Sequence, residues 1–165
     1  MKRRLLTTAL CLTCLYGSTT ARADPATEQL AVVRALYRHF AYEAVLDSPS
    51  TDGFSLAPVQ VLRRFLSPAL IELLVRDRSC AAQRHEICRL DFMPLWAAQD
   101  ASGMTVSLRW DNSSKRVTAT LRSPGGSPVL INYRMAQHQG YWRVADIGYG
   151  TDRPSLLQLL ARQVD

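Results

Sequence analysis

The stretch Met104-Thr105-Val106-Ser107-Leu108-Arg109-Trp110 decides the fold. Met104, Val106, Leu108 and Trp110 alternate with Thr105, Ser107 and Arg109. A period of two puts apolar side chains on one face of a strand and polar ones on the other. The same pattern recurs downstream. Asp111-Asn112-Ser113-Ser114 reads as a turn, and Val117, Ala119 and Leu121 alternate in a second strand. Ser123-Pro124-Gly125-Gly126-Ser127 interrupts the chain, Val129, Ile131, Tyr133 and Met135 mark a third strand, and Gln137-His138-Gln139-Gly140 ends it. A fourth strand runs from Tyr141 to about Tyr149. Four strands joined by short turns predict an antiparallel meander. In the fourth, Trp142 and Val144 share a face, and strict alternation carries Asp146 onto it unless a bulge intervenes. A carboxylate on the apolar side needs a partner, because burying it alone is costly.

Upstream of Met104 the period is helical. Asp24-Pro25 sets a helix start, with Asp as cap and Pro at the first position. Val33, Leu36, Tyr37, Phe40, Ala41 and Ala44 then recur every three or four residues as one apolar stripe, which Arg34, Arg38 and Glu43 largely avoid. Residues 47–53 (DSPSTDG) form a loop by composition. Pro58 opens a shorter helix with Val59, Leu62 and Phe65, and Ser67-Pro68 starts a third with Leu70, Leu73 and Leu74 on its buried face. The alanines, arginines and cysteines that follow read as an irregular stretch. Residues 90–100 (LDFMPLWAAQD) have no clean period and carry Pro94, so they are expected as a buried irregular crossing with two aspartates, Asp91 and Asp100. After the strands, Pro154 and Ser155 open a closing helix with Leu156, Leu159 and Leu160. Helices gathered on one face of an antiparallel sheet make an α+β domain.

The first residues predict export. Lys2, Arg3 and Arg4 form a positive start, residues 5–16 are uncharged and mostly apolar, and Ala21-Arg22-Ala23 fits the small-residue cleavage pattern. The apolar run falls short of the ~20 residues of a spanning helix, so no retained membrane anchor is expected. Neither Cys11 nor Cys14 is preceded by the Leu-small-small order of a lipidation site. Residues 1–23 are thus read as a cleaved signal peptide and residues 24–165 as one domain, periplasmic or secreted. Cleavage removes four bases and no acid, taking the net charge four units below the whole chain's +6. The arginines left are scattered singly or in pairs, without the clustering of a nucleic-acid footprint.

Cys80 and Cys88 are the only cysteines beyond the leader. In an oxidising compartment two neighbouring cysteines are expected to form a disulfide. The alternative is a metal site using Cys80, His85 and Cys88, which lacks a nearby fourth ligand and has none of the common zinc spacings. No metal and no cofactor are expected. His39 reads as a partly exposed helix residue and His85 as a solvent-facing one.

Several local patterns together carry a resemblance. They are the Tyr-containing helix segment LYRHF (residues 36–40), FLSPAL (65–70), LDFMP followed by Gln99-Asp100, YWRVADI (141–147) and a terminal helix beginning at Ser155-Leu156-Leu157. This combination resembles a family of bacterial exported proteins catalogued as domain of unknown function 3828, similar to the nuclear-transport-factor-2-like, or cystatin-like, α+β cone. The resemblance covers most of the chain after the leader. It implies a curved four-stranded sheet wrapped over a long helix, often with a pocket at the open end of the cone.

The cone implies two kinds of function. One is acid/base catalysis or small-ligand binding in the pocket, with Asp91, Asp100 and Asp146 as acids or bases, Tyr133, Tyr149 or His138 as donors, and Arg109 and Trp142 completing the candidate pocket. The simpler expectation is that Asp91 and Asp100 cap local amides and that Asp146 pairs with an arginine such as Arg109. Walker A, HExxH, GxSxG and GxGxxG sequences are absent. The other kind of function is a non-enzymatic binding domain whose partner is another protein of the cell envelope, in the manner of an inhibitor or immunity protein. Its candidate contact loops are residues 47–53, 80–88 and 137–140.

Overall fold

The computed structural model describes residues 23–45 and 53–162. The expected leader, apart from Ala23, and most of the expected loop 47–53 lie outside the described residues. The elements follow the α+β order: α1 (Pro25–His39), two short 3₁₀ turns (Ala41–Ala44 and Phe54–Leu56), α2 (Val59–Leu62), α3 (Pro68–Arg84), β1 (Thr105–Asp111), β2 (Arg116–Arg122), β3 (Val129–His138), β4 (Tyr141–Gly148) and α4 (Leu156–Ala161). The strands form one antiparallel sheet in the order β1-β2-β3-β4. Among the described residues no helix is long and apolar enough to cross a membrane.

The helix starts are largely as the sequence predicts, although Asp24 stands at the N-cap of α1 without a side-chain cap hydrogen bond. Pro25 and Pro68 each occupy a first turn, where their missing N–H costs nothing. Ser67 Oγ accepts the Leu70 N–H at the start of α3, and Ser155 with Gln158 forms a full capping box on α4. Two helical expectations need correction. The stripe of α1 does not continue as an α-helix to Ala44: the helix ends at His39, and the chain tightens to a 3₁₀ turn. With three residues per turn, Glu43 comes round onto the side of Phe40. Both are buried, while Ala41 turns outward. The second correction concerns Cys80, which lies within α3 rather than in an irregular stretch. That helix continues to Arg84 and stops where His85 takes a left-handed φ of 55°.

Cys80 and Cys88 form the expected disulfide, with Cα atoms 6.1 Å apart and a sequence separation of 8. Closing a loop of that size removes about 2.5 kcal/mol of unfolded-chain entropy. Replacing both cysteines by alanine is therefore expected to destabilise the domain by about that amount, read as a lower urea midpoint at unchanged slope.

The core lies between α1 and the sheet. Val117, Ala119, Leu121, Ile131 and Tyr133 point inward from β2 and β3 against Val33, Leu36 and Tyr37. The turn between β3 and β4 is two residues long. Gln139 and Gly140 both have positive φ (50° and 81°), the geometry that matches strand twist. The β4 edge is capped by a short parallel bridge: the Val144 N–H donates to Phe65 O and Ser67 N–H to Val144 O.

A bulge resolves the phase of Asp146. Tyr133 pairs with Ile147 and Arg134 with Asp146, but Met135 pairs with Val144, so Ala145 is the extra residue. Inward positions switch from Val144 to Ile147 and Tyr149, and Asp146 is carried to the other face.

Candidate functional site

The interior is bounded by α1, β3 and the residues after β4. It is filled by the chain between α3 and β1. Residues 94–96 (PLW) of that crossing are buried, with a Met93–Ala98 bridge closing the turn. Three tyrosine hydroxyls meet the crossing or each other. Tyr37 donates to Leu95 O (2.8 Å), Tyr149 to Pro94 O (3.1 Å), and Tyr133 to the Tyr37 oxygen (2.8 Å). The rings of Tyr37 pack edge-on against Trp96 and Tyr133.

Glu43 completes this interior network. It is 5 % exposed, and its two oxygens accept the Phe54 N–H (2.6 Å) and the Trp96 indole N–H (2.9 Å). Burial raises its carboxyl above the ordinary glutamate range, against the lowering effect of those two donors. Burial also pushes the Tyr37, Tyr133 and Tyr149 hydroxyls well above the ordinary tyrosine value, so all three stay protonated at neutral pH. A carboxyl with a raised pKa beside tyrosine donors is what proton transfer needs. Here both carboxylate oxygens accept hydrogen bonds and the three hydroxyls all donate inside the protein, so the group works as an internal strut.

The sequence-derived candidates do not converge. Tyr133 is fully buried in this network. Asp91 and Asp100 are exposed at the two ends of the crossing, whose middle is buried. Asp100 accepts the Ser102 N–H (2.8 Å), and that bond with the Ser102 side chain holds its carboxyl below the ordinary range. Arg109 projects from the outer face of β1, at the opposite edge of the sheet from Asp146. Distance excludes that pair, and the arginine facing Asp146 is Arg134, at 3.9 Å. Trp142 is half-buried on β4, and its indole N–H has no acceptor among the described residues. His138 is exposed at the end of β3, and His39 and His85 are exposed as well. Among the described residues no cluster of three His, Cys, Asp or Glu is placed to hold a metal.

Asp146 caps two backbone amides. Its Oδ1 accepts the Ile147 N–H and the Leu157 N–H, both at 2.9 Å, tying the bulge to the first turn of α4. Asp146→Ala is expected to cost about 1–2 kcal/mol in thermal or urea unfolding, and Asp146→Asn, which keeps the accepting oxygen, is expected to recover most of it.

Glu43 is the residue that sequence reading missed. Its signal was its place three residues after Phe40, legible only once the turn is known to be 3₁₀. A second surface stands out at the far side of the crossing. A groove of about 620 Å³ runs between the Phe54–Leu56 turn, α3 and the disulfide loop, with Leu90, Phe92 and Met93 along it. Arg78 holds one wall by donating to Ser55 O and to Ala57 O (2.9 Å). Asp77 holds the other, accepting the Arg89 N–H (3.0 Å) with the Arg89 guanidinium 3.5 Å away. Ile87, beside the bridged Cys88, is 70 % exposed, and Leu56, which also lines the groove, is exposed.

Comparison with known proteins gives no match: no family model fits the chain, and no curated protein or solved structure matches it significantly.

Proposed function

We propose that this chain is an exported, non-enzymatic domain that binds another protein of the cell envelope, in the manner of an inhibitor or immunity protein, and that belongs with the exported cone domains it resembles. The observation that carries this reading is the pinned apolar groove. The disulfide fixes one wall and Arg78 the other, so Ile87 and Leu56 are offered at little further cost in ordering, as a pre-organised binding surface requires. Ile87 and Leu56 extend the apolar lining of the groove formed by Leu90, Phe92 and Met93, and a contiguous apolar surface of this kind is where a protein partner docks. The interior network supports the same reading, because the Glu43 carboxylate and the three tyrosine hydroxyls are all engaged by partners within the protein. The charged start, apolar run and Ala21-Arg22-Ala23 of the leader support export, and the disulfide is compatible with an oxidising compartment.

The test is affinity capture from periplasmic and secreted extracts of the source organism, using tagged, oxidised protein of residues 24–165 beside its Ile87→Glu variant. One partner recovered near stoichiometry with the parent and lost with the variant is the expected result. Equal recovery by both moves the contact away from the groove, and recovery of background alone removes the protein-binding reading.

A further inference from the structure

We infer that the partner contributes an extended acidic segment that adds to the free edge of β1 as a fifth strand, with its apolar side chains in the groove between β1 and α1. This inference rests on the protein-binding reading and names a second contact of the same domain.

The two sheet edges are treated differently. The β4 edge is bridged by Leu66, whereas no backbone hydrogen bond or bridge from any described residue reaches the outer edge of β1. That strand is seven residues long and contains neither proline nor a bulge, so its backbone is an open template. The side-chain burial tells the same story. On β2 the inward residues Val117, Ala119 and Leu121 are fully buried, but their β1 partners Trp110, Leu108 and Val106 are only half-buried. One more strand beside β1 would cover them as β1 covers β2.

Beside this edge lies a groove of about 310 Å³, with Val106 and Leu108 on one side and Tyr37 and Trp96 at its floor. Arg34 and Arg38, one helical turn apart on α1, line its other side. Both are exposed, and among the described residues neither has an ion-pair or side-chain hydrogen-bond partner. No carboxylate of a described residue lines the groove. Strand addition draws affinity from main-chain hydrogen bonds and selectivity from pockets for alternate side chains. An occupant with apolar residues alternating with Asp or Glu satisfies the edge, the groove and the two cations together. A second copy of this chain fits poorly, because pairing two β1 edges would bring two pairs of unmatched arginines to one seam.

The experiment selects random phage-displayed peptides on oxidised residues 24–165. Enriched peptides are then synthesised, their affinity is measured by fluorescence anisotropy, and the bound segment is located by amide hydrogen exchange. Enrichment of alternating apolar and acidic residues is expected, with slowed exchange across Thr105–Asp111. Affinity should fall on the order of tenfold or more when Arg34→Glu and Arg38→Glu are combined. The variant's unfolding midpoint serves as a fold check, and Arg122→Glu, on the outer sheet face, should bind as the parent does. No enrichment, slowed exchange elsewhere, or unchanged affinity in the double variant overturns the inference. So does protection in the free protein of the β1 amides that face away from β2, by a second copy or by this chain's own residues 46–52. If a captured partner binds the double variant as tightly as the parent, the protein-binding reading stands and this inference falls.

Discussion

Glu43→Ala is expected to lower the free energy of unfolding by about 4 kcal/mol, because two buried donors lose their acceptor and each orphaned group costs about 1–3 kcal/mol. Those donors are the Phe54 N–H and the Trp96 indole N–H, which the carboxylate joins across the core. Urea unfolding of the parent and the variant measures the difference. A loss under about 1 kcal/mol would mean that water replaces the carboxylate and that the interior is open. The same residue carries a pH signature. Burial raises its carboxyl, so the folded protein keeps a proton that the unfolded chain has already released as pH climbs from the ordinary glutamate range to the raised value. The folded state binds more protons over that window, and stability therefore falls as pH rises through it. In Glu43→Gln that decline should vanish, although one donor then faces an amide N–H and the variant is weaker at every pH. Asp111 acts in a different window. The Ser113 hydroxyl, first among its partners, holds its carboxyl down to about 2, so its contribution is present above the ordinary aspartate range and is lost as pH falls toward 2.

Tyr133→Ala should have a comparable effect, about 4 kcal/mol, since it empties a fully buried aromatic site in the middle of the sheet. The phenylalanine variants separate packing from hydrogen bonding. Tyr133→Phe removes one donor and leaves Tyr37 still donating to Leu95 O, so about 1 kcal/mol is expected. Tyr37→Phe leaves the Tyr133 hydroxyl without its acceptor and Leu95 O without its donor, and should cost about 2–3 kcal/mol. Thermal and urea unfolding of the two variants test the order. The reverse order would place water beside Tyr37 and undo the account of a filled interior.

Much of the architecture was legible in the chain. The alternation from Met104 onward located the four strands to within a residue or two at most ends, and Ser67, Pro68 and Ser155 marked helix starts. These features are local: a strand's period and a cap's hydrogen bond depend on neighbours in sequence. The candidate site was less legible. Tyr133 and Tyr149 were singled out as donors, and both are held inside the core network, but Asp91, Asp100 and Arg109 are on the surface. Lone aspartates and arginines carry no periodic signal of burial, and the strands of Arg109 and Asp146 lie at opposite edges of the sheet.

By itself the sequence determined the order of the main helices and strands, the inward face of β1 to β3 and the closeness of Cys80 to Cys88, since each follows from period, turn composition or proximity along the chain. Only the tertiary structure decided where Glu43 and Asp146 point. A 3₁₀ turn after α1 swings Glu43 into the core, and one extra residue at Ala145 turns Asp146 away from it. Both are shifts of register, set by what packs or pairs across the fold. A change from 3.6 residues per turn to three, or a single unpaired residue in a strand, leaves no mark on the pattern of residues that precedes it.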